Sequence, residues 1–308
     1  MLGVWRLQLL REVSLRGTIR SAASAMNITP SAASQQLALL EKEAGVELLE
    51  KSGRRVRLTS AGLLLAQHAD KIIGDIAAAE ADMLATQHWV TGVLKVAAFP
   101  TCARAVMPQV MTALSLRHPA LRVTLTDLEP RESLAALRLD EIDVAIVDES
   151  DELTRGLDDQ LEVEEFLSDP LYLVLPPDQP VTPNATLAGL RDAFWIMARQ
   201  DSEFFRTALR ACRASGFEPR IRSHCKDFSV IIALIEDGLG VGILSSLALY
   251  DRPVRATVLP TEPPLARNIA AVIRRDRRSH PALALMMSEL RRFGASYVPA
   301  FGRPLPDQ

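Results

Sequence analysis

Between Thr29 and Gln36 the chain reads Thr-Pro-Ser-Ala-Ala-Ser-Gln-Gln. Short hydroxyls and two amides in one run can exchange hydrogen bonds with flat polar surfaces, and base edges in a DNA groove are such surfaces. Glutamine pairs bidentately with adenine, serine donates or accepts, and alanine methyls meet thymine methyls. Further on, Lys51, Arg54, Arg55 and Arg57 surround Gly53. Guanidinium groups at such a turn reach phosphates or a narrow minor groove. The candidate nucleic-acid contacts are therefore Thr29, Ser31, Ala32, Ser34, Gln35 and Gln36, with Arg54, Arg55 and Arg57.

Catalytic chemistry finds no comparable set. No Ser/His/Asp arrangement, metal-ligand spacing or phosphate loop is visible, so neither a metal nor a cofactor is expected. Cys102, Cys212 and Cys225 are odd in number, far apart and outside any CxxC. That excludes a disulfide framework and suits a reducing cytoplasm. Gly238, Gly240 and Gly242 resemble a dinucleotide loop, but such a loop follows a strand and opens a helix. Here the glycines follow a helix and enter a strand. The acid-rich stretch 148–159 lacks calcium-loop spacing and reads as a solvated loop.

The elements that must position the first set are legible. Val4 to Arg16 is a helix with Leu7, Leu10 and Val13 on one side. Thr18 caps a short Ala-rich helix from Ile19 to Met26, whose small residues admit a close neighbour. Thr29 and Pro30 start a third helix, which Gly45 ends near Ala44. Two short helices about a tight turn make a helix-turn-helix, in which the second helix enters the major groove by its N-terminal end. Leu49 and Val56 to Leu58 read as a hairpin with arginines at its tip. The expected fold class is thus an all-α winged helix-turn-helix head attached to an α/β body.

Charge follows the same division. Residues 1–60 carry nine arginines and lysines against five acids, net +4, which leaves −7 for the rest of a chain whose total is −3. A basic end faces phosphate and an acidic body avoids it. The 308 residues, 48% of them hydrophobic, suffice for two or three domains. No apolar run approaches the roughly 18 residues of a membrane span. The first residues lack the pattern of a secretory signal.

Over residues 18–62 the sequence closely resembles the N-terminal signature of LysR-type transcriptional regulators. The matching points are Ala22-Ala23, Ser34-Gln35-Gln36-Leu37, Leu40-Glu41, Gly45-Val46, Leu48-Leu49, Arg54 to Thr59 and Ala61-Gly62. One position departs: the family often has arginine where Gln35 stands, so base preference does not transfer. The resemblance implies promoter DNA, a small-molecule effector and a second copy of the chain as partners, in a dimer or tetramer, with RNA polymerase as a further one.

Residues 1–58 form the head on this reading. Residues 59–89 form a linker helix, about 45 Å long if unbroken. Leu65, Ala69, Ile72, Ile76, Ala79 and Met83 recur at alternating steps of four and three, the spacing of a dimerisation seam. Residues 90–308 alternate strands and helices, which implies a parallel sheet covered on both faces. By resemblance this is a two-lobed, periplasmic-binding-protein-like effector domain. Lobe I would span about 92–162 and 268–295, and lobe II about 163–267, with crossings near Val163 and Pro264.

Ligands in open α/β folds sit beyond strand ends, near helix starts. Pro100, Thr101 and Cys102 follow the first strand. Asp201 and Ser202 follow the Trp195 strand, and Asp227 and Phe228 follow the strand ending at His224. By resemblance these three loops line the cleft between the lobes. Thr101 and Ser202 would serve equally as helix caps. Lys226 favours an anion, whereas Asp201 and Asp227 favour an amine. Cys102 beside Thr101 raises the idea of a redox sensor, against the simpler reading of a buried thiol. Two rival functions are an α/β enzyme with an accessory head and a ligand-independent architectural DNA binder.

Overall fold

The computed structural model describes residues 2–52, 55–85, 90–149, 160–177, 186–251, 253–299 and 301; for 51, 52, 55, 56, 74, 77–85 and 149 it describes the backbone alone. The head begins with α1 (Val4–Arg16), α2 (Ile19–Ala25) and α3 (Pro30–Ala44). The expected caps are present. Thr18 accepts from Ser21 N, and Thr29 accepts from Ala32 N. Gly17 and Gly45, at φ 73° and 71°, end α1 and α3. Leu7, Leu10, Ala22, Ala23, Leu37 and Leu40 close the core of the head.

Strands β1 (Leu49–Ser52) and β2 (Arg55–Leu58) pair antiparallel as the wing. Glu41 fixes its start, since Oε1 accepts from both Leu48 N and Leu49 N. The linker helix α4 (Ser60–Ala85) is capped by Thr59, which accepts from Gly62 N. Residues 86–89, the expected end of this helix, lie outside the described residues. Two seam assignments change. Ala69 is buried in the core of the head, and Leu65 packs against it. The apolar strip that α4 leaves exposed keeps Ile72 and Ile76 of the expected seam and includes Leu64. The side chains of Ala79 and Met83 lie outside the described residues.

The body is built on a mixed sheet, which corrects the expectation of parallel strands throughout. In lobe I, β3 (Gly92–Ala98) runs parallel to β4 (Leu121–Asp127) and β5 (Val144–Glu149). Two long strands, β6 (Leu161–Leu175) and β11 (Ala266–Arg274), run antiparallel to each other, and β11 also lies antiparallel to β5. From Leu171 onward β6 pairs instead with β9 (Gly242–Ser245) and β10 (Thr257–Pro260), both in lobe II. The outward crossing therefore falls near Pro170 rather than Val163, because β6 continues unbroken from one lobe into the other. In lobe II, β7 (Phe194–Ala198) and β8 (Arg220–Cys225) are parallel.

The helix expected from Pro100 to His118 is two helices, α5 (Pro100–Ala105) and α6 (Met107–Arg117). Pro108 explains the break, since it lacks the amide needed to continue the helix and favours a helix start. Between β4 and β5 lies α7 (Pro130–Arg138). Lobe II adds α8 (Glu203–Ala214), α9 (Phe228–Glu236) and the short α10 (Ser246–Leu249). The stretch from Gly238 to Gly242 leads from α9 into β9, as its order implied. The last helix, α11 (Pro281–Ser296), returns to lobe I and buries Met286, Leu290 and Phe293 there.

Candidate nucleic-acid interface and effector cleft

At the start of α3, Ser31, Ser34 and Gln35 are exposed, whereas Ala32 and Gln36 are half-buried. Thr29 is exposed and caps the helix, with its Oγ1 3.0 Å from Ser31 Oγ. Ser34 Oγ donates to Pro30 O at 2.9 Å. Gln36 is engaged by the head itself, as its Oε1 accepts from Arg6 Nε at 3.1 Å. Arg57 is exposed on β2, opposite Glu50. Arg54 and the side chain of Arg55 lie outside the described residues.

Between the lobes lies a cleft of about 370 Å³, open solvent included, lined by Phe99, Pro100, Thr101, Pro130, Ser202, Phe204 and Phe228 among others. A wider opening of about 1050 Å³, likewise counted with open solvent, adjoins it, sharing Pro100, Thr101 and Phe228 and adding Asp227. The structure thus brings Pro100, Thr101, Ser202, Asp227 and Phe228 together. It places two candidates elsewhere. Cys102 is wholly buried in the lobe I core, where burial pushes its thiol well above the ordinary range. A protonated, inaccessible thiol is a poor redox sensor. Asp201 is exposed and forms a two-pronged ion pair with Arg199, which holds its carboxyl below the usual range.

The floor of the cavity is a charged cluster that no local pattern announced. Arg267, 5% exposed at the start of β11, donates through Nε to Asp169 at 2.9 Å and through Nη1 to Asp148 at 3.2 Å. Its Nη2 donates to Thr101 Oγ1 at 2.9 Å and Ser245 Oγ at 3.0 Å. The guanidinium also lies about 5 Å from the ring centres of Phe99 and Phe204. Burial works against its charge, yet Asp169 and Asp148 keep its pKa above the ordinary arginine value. Burial raises the carboxyl of Asp148, against the pull of Arg267. Asp148 was expected in a solvated loop. It is instead 2% exposed, because β5 continues through it to Glu149.

Ser202 is a helix cap. Its Oγ accepts from Phe205 N and donates to Arg199 O. Asp227 likewise caps α9 by accepting from Ser229 N at 2.7 Å. Thr101 differs, because its oxygen accepts from Arg267 while its own hydrogen remains a donor. His224 sets Nδ1 3.0 Å from Ala198 O and Nε2 against Gln200.

A second charged cluster ties the head to lobe I. Asp70 Oδ1 on α4 accepts from Arg11 of α1 at 2.6 Å and from Arg274 at the end of β11 at 3.1 Å. Arg16 donates to Glu141 Oε1 and to Leu139 O, each at 3.1 Å.

Base-sized hydrogen-bonding groups at one end and a cleft between two lobes at the other are the parts of a ligand-responsive DNA-binding regulator. Residues 89–295 match the family described as LysR substrate binding domain, and residues 5–63 match the bacterial regulatory helix-turn-helix protein, lysR family. The chain belongs to the LysR family: it is a transcriptional regulator with an effector-binding domain, not an enzyme. The HTH-type transcriptional regulator AlsR of Bacillus subtilis (strain 168) is 25% identical over 231 residues, covering 74% of this chain and 75% of AlsR. A full-length OxyR variant from Pseudomonas aeruginosa superposes with a TM-score of 0.70 at 21% identity, over 94% of this chain and 95% of that one. Full-length CbnR complexed with its target DNA gives 0.56 at 22% identity, over 94% and 99%. Regulators of this family bind target DNA and small-molecule effectors and form oligomers. Among the described residues no helix is long and apolar enough to cross a membrane.

Proposed function

We propose that this regulator reads promoter DNA with Ser31, Ala32, Ser34, Gln35 and Gln36, and that Thr29, Arg54, Arg55 and Arg57 anchor it to phosphate. The observation that carries the reading is α3 itself. Its inner face is buried in the head by Ala33, Leu37 and Leu40, while Ser31, Ser34 and Gln35 of its first turns remain exposed. CbnR, a protein of the same fold, has been crystallised on its target DNA, which supports the assignment. Residues 1–58 act as the head, 59–89 as the linker and 90–308 as the sensor. Two copies associate through the exposed Leu64, Ile72 and Ile76 of α4, which presents two heads to a roughly palindromic site.

A small molecule occupies the inter-lobe cavity, where Thr101 offers its hydroxyl hydrogen to an acceptor on the ligand and Phe228 covers an apolar part. Ligand control requires unequal affinity for two arrangements of the sensor. The contacts of Arg11 and Arg274 with Asp70 supply a physical route from lobe I to the head. The regulator works in the cytoplasm, and RNA polymerase is the partner that reads the outcome.

Fluorescence anisotropy of the full chain on selected duplexes tests this. Replacing Arg54 and Arg55 together with alanine should weaken binding to all sequences alike and reduce the salt slope by about 2 if each contacts one phosphate. A changed sequence preference with an unchanged salt slope would refute the wing assignment.

A further inference from the structure

Gln35 and Gln36 are neighbours of the same chemistry in different surroundings. Gln35 is exposed, and among the described residues no side-chain hydrogen bond engages it. Gln36 is half-buried, with Oε1 accepting from Arg6 Nε at 3.1 Å. Arg6 is itself fixed, because Nη1 donates to Glu43 Oε1 at 2.9 Å. A guanidinium has five donors and no acceptor. Only the amide oxygen of Gln36 can face it, so the amide nitrogen must turn the other way.

That orientation has a consequence for base reading. Glutamine recognises adenine when its oxygen accepts from N6 while its nitrogen donates to N7. In Gln36 the oxygen is anchored to α1, and the group left to a base is the donor –NH2. Two donors on one nitrogen suit guanine, whose acceptors N7 and O6 lie side by side, or O4 of thymine, better than adenine, whose N7 stands beside its own amino donor. Gln35 keeps both groups and the adenine option. The same residue type, twice in a row, therefore reads two different edges.

We propose that Arg6 is a positioning residue for sequence specificity, which makes Gln36 a donor-only reader and leaves adenine recognition to Gln35. This rests on the reading of α3 as the recognition helix. Arg6 need touch no base to do so. It acts through the amide that it orients, and Glu43 acts through Arg6.

In vitro selection from a randomised duplex pool, with the full-length protein and its variants, tests the inference. The wild type should enrich a motif with adenine at one position and guanine or thymine at its neighbour. Gln35→Ala should lose the adenine preference by roughly tenfold, the discrimination of one bidentate pair. Arg6→Met, which keeps an unbranched apolar stem, should leave that position alone and add adenine at the position read by Gln36. Gln36→Glu is nearly isosteric and strengthens the bond to Arg6. It should exchange the guanine or thymine preference for cytosine or adenine, whose amino groups donate. The inference is overturned if Arg6→Met and Gln36→Glu both give the wild-type motif with unchanged circular dichroism. If Arg6→Met does not fold, the Gln36→Glu motif alone decides. A wild-type protein that enriches nothing removes the recognition-helix reading and this inference with it.

Discussion

Replacing Arg267 with methionine should cost the sensor several kilocalories and make its stability depend on pH. The side chain serves four acceptors at 2.9–3.2 Å, two of them the buried carboxylates of Asp148 and Asp169. Methionine restores apolar contact with Phe99 and Phe204 but leaves the carboxylates without their cation. Removing one partner from a buried ion pair costs about 3–5 kcal/mol. The two lost hydroxyl bonds add about 1 kcal/mol each, and the added apolar contact offsets part of this. A net loss near 4 kcal/mol lowers the melting temperature of a domain of this size by roughly 8–16 °C.

Protonation should relieve that loss. The carboxyl of Asp148 already sits above its ordinary pKa through burial, so the native state holds a proton there more tightly than the unfolded state does. Stability gained from such a group is present at low pH and lost as pH rises through its folded pKa. Without Arg267 that pKa rises further, so the deficit of the variant should be largest near pH 7.5 and should shrink toward about pH 5. Calorimetric melting of the full chain at both pH values reads this directly. A deficit under about 3 °C, or one equal at both pH values, would show that Arg267 is not the counter-ion of the cavity floor.

Two further changes probe the supports of the sensor. Gly294 lets α11 lie against β6, since a Cβ there would stand 1.7 Å from Phe166 O. Gly294→Ala should therefore lower stability by about 1–3 kcal/mol or more, while Gly189→Ala, with its nearest atom at 3.7 Å, should be close to neutral. His280 caps α11, with Nδ1 accepting from Ala282 N at 3.2 Å, and burial lowers its pKa below the ordinary histidine value. The cap is thus present above about pH 6.5 and is lost as pH falls through the folded pKa, a change of about 1 kcal/mol. His280→Asn should keep a cap and flatten that part of the melting profile; an unchanged profile would deny the role.

The head was largely legible because its boundaries are written in short-range chemistry. Gly17, Thr18, Thr29, Pro30 and Gly45 mark where helices stop and start, and α1 and α3 lie where these residues put them. The same holds for Ser202 before α8 and Asp227 before α9. The cavity floor was illegible for the opposite reason. Thr101, Asp148, Asp169, Ser245 and Arg267 come from five separate strands and helices, and no local spacing joins them. The only hint was an arginine heading an apolar strand. The seam of α4 shows a third case. A single apolar stripe can fill its own head or meet a copy, and Leu65 and Ala69 took the first course. The break at Val106 was readable from Pro108 and was missed.

The carboxylate of Asp70 carries a mechanical implication. It is gripped at once by an arginine of the first helix and the arginine that ends the last long strand. Reading module and near lobe are thereby buckled together within one subunit. Any closure of the sensor over a guest would therefore have to move the far lobe against this joined unit. A neighbouring subunit resting on that far lobe would then feel the change more directly than the subunit's own reading module.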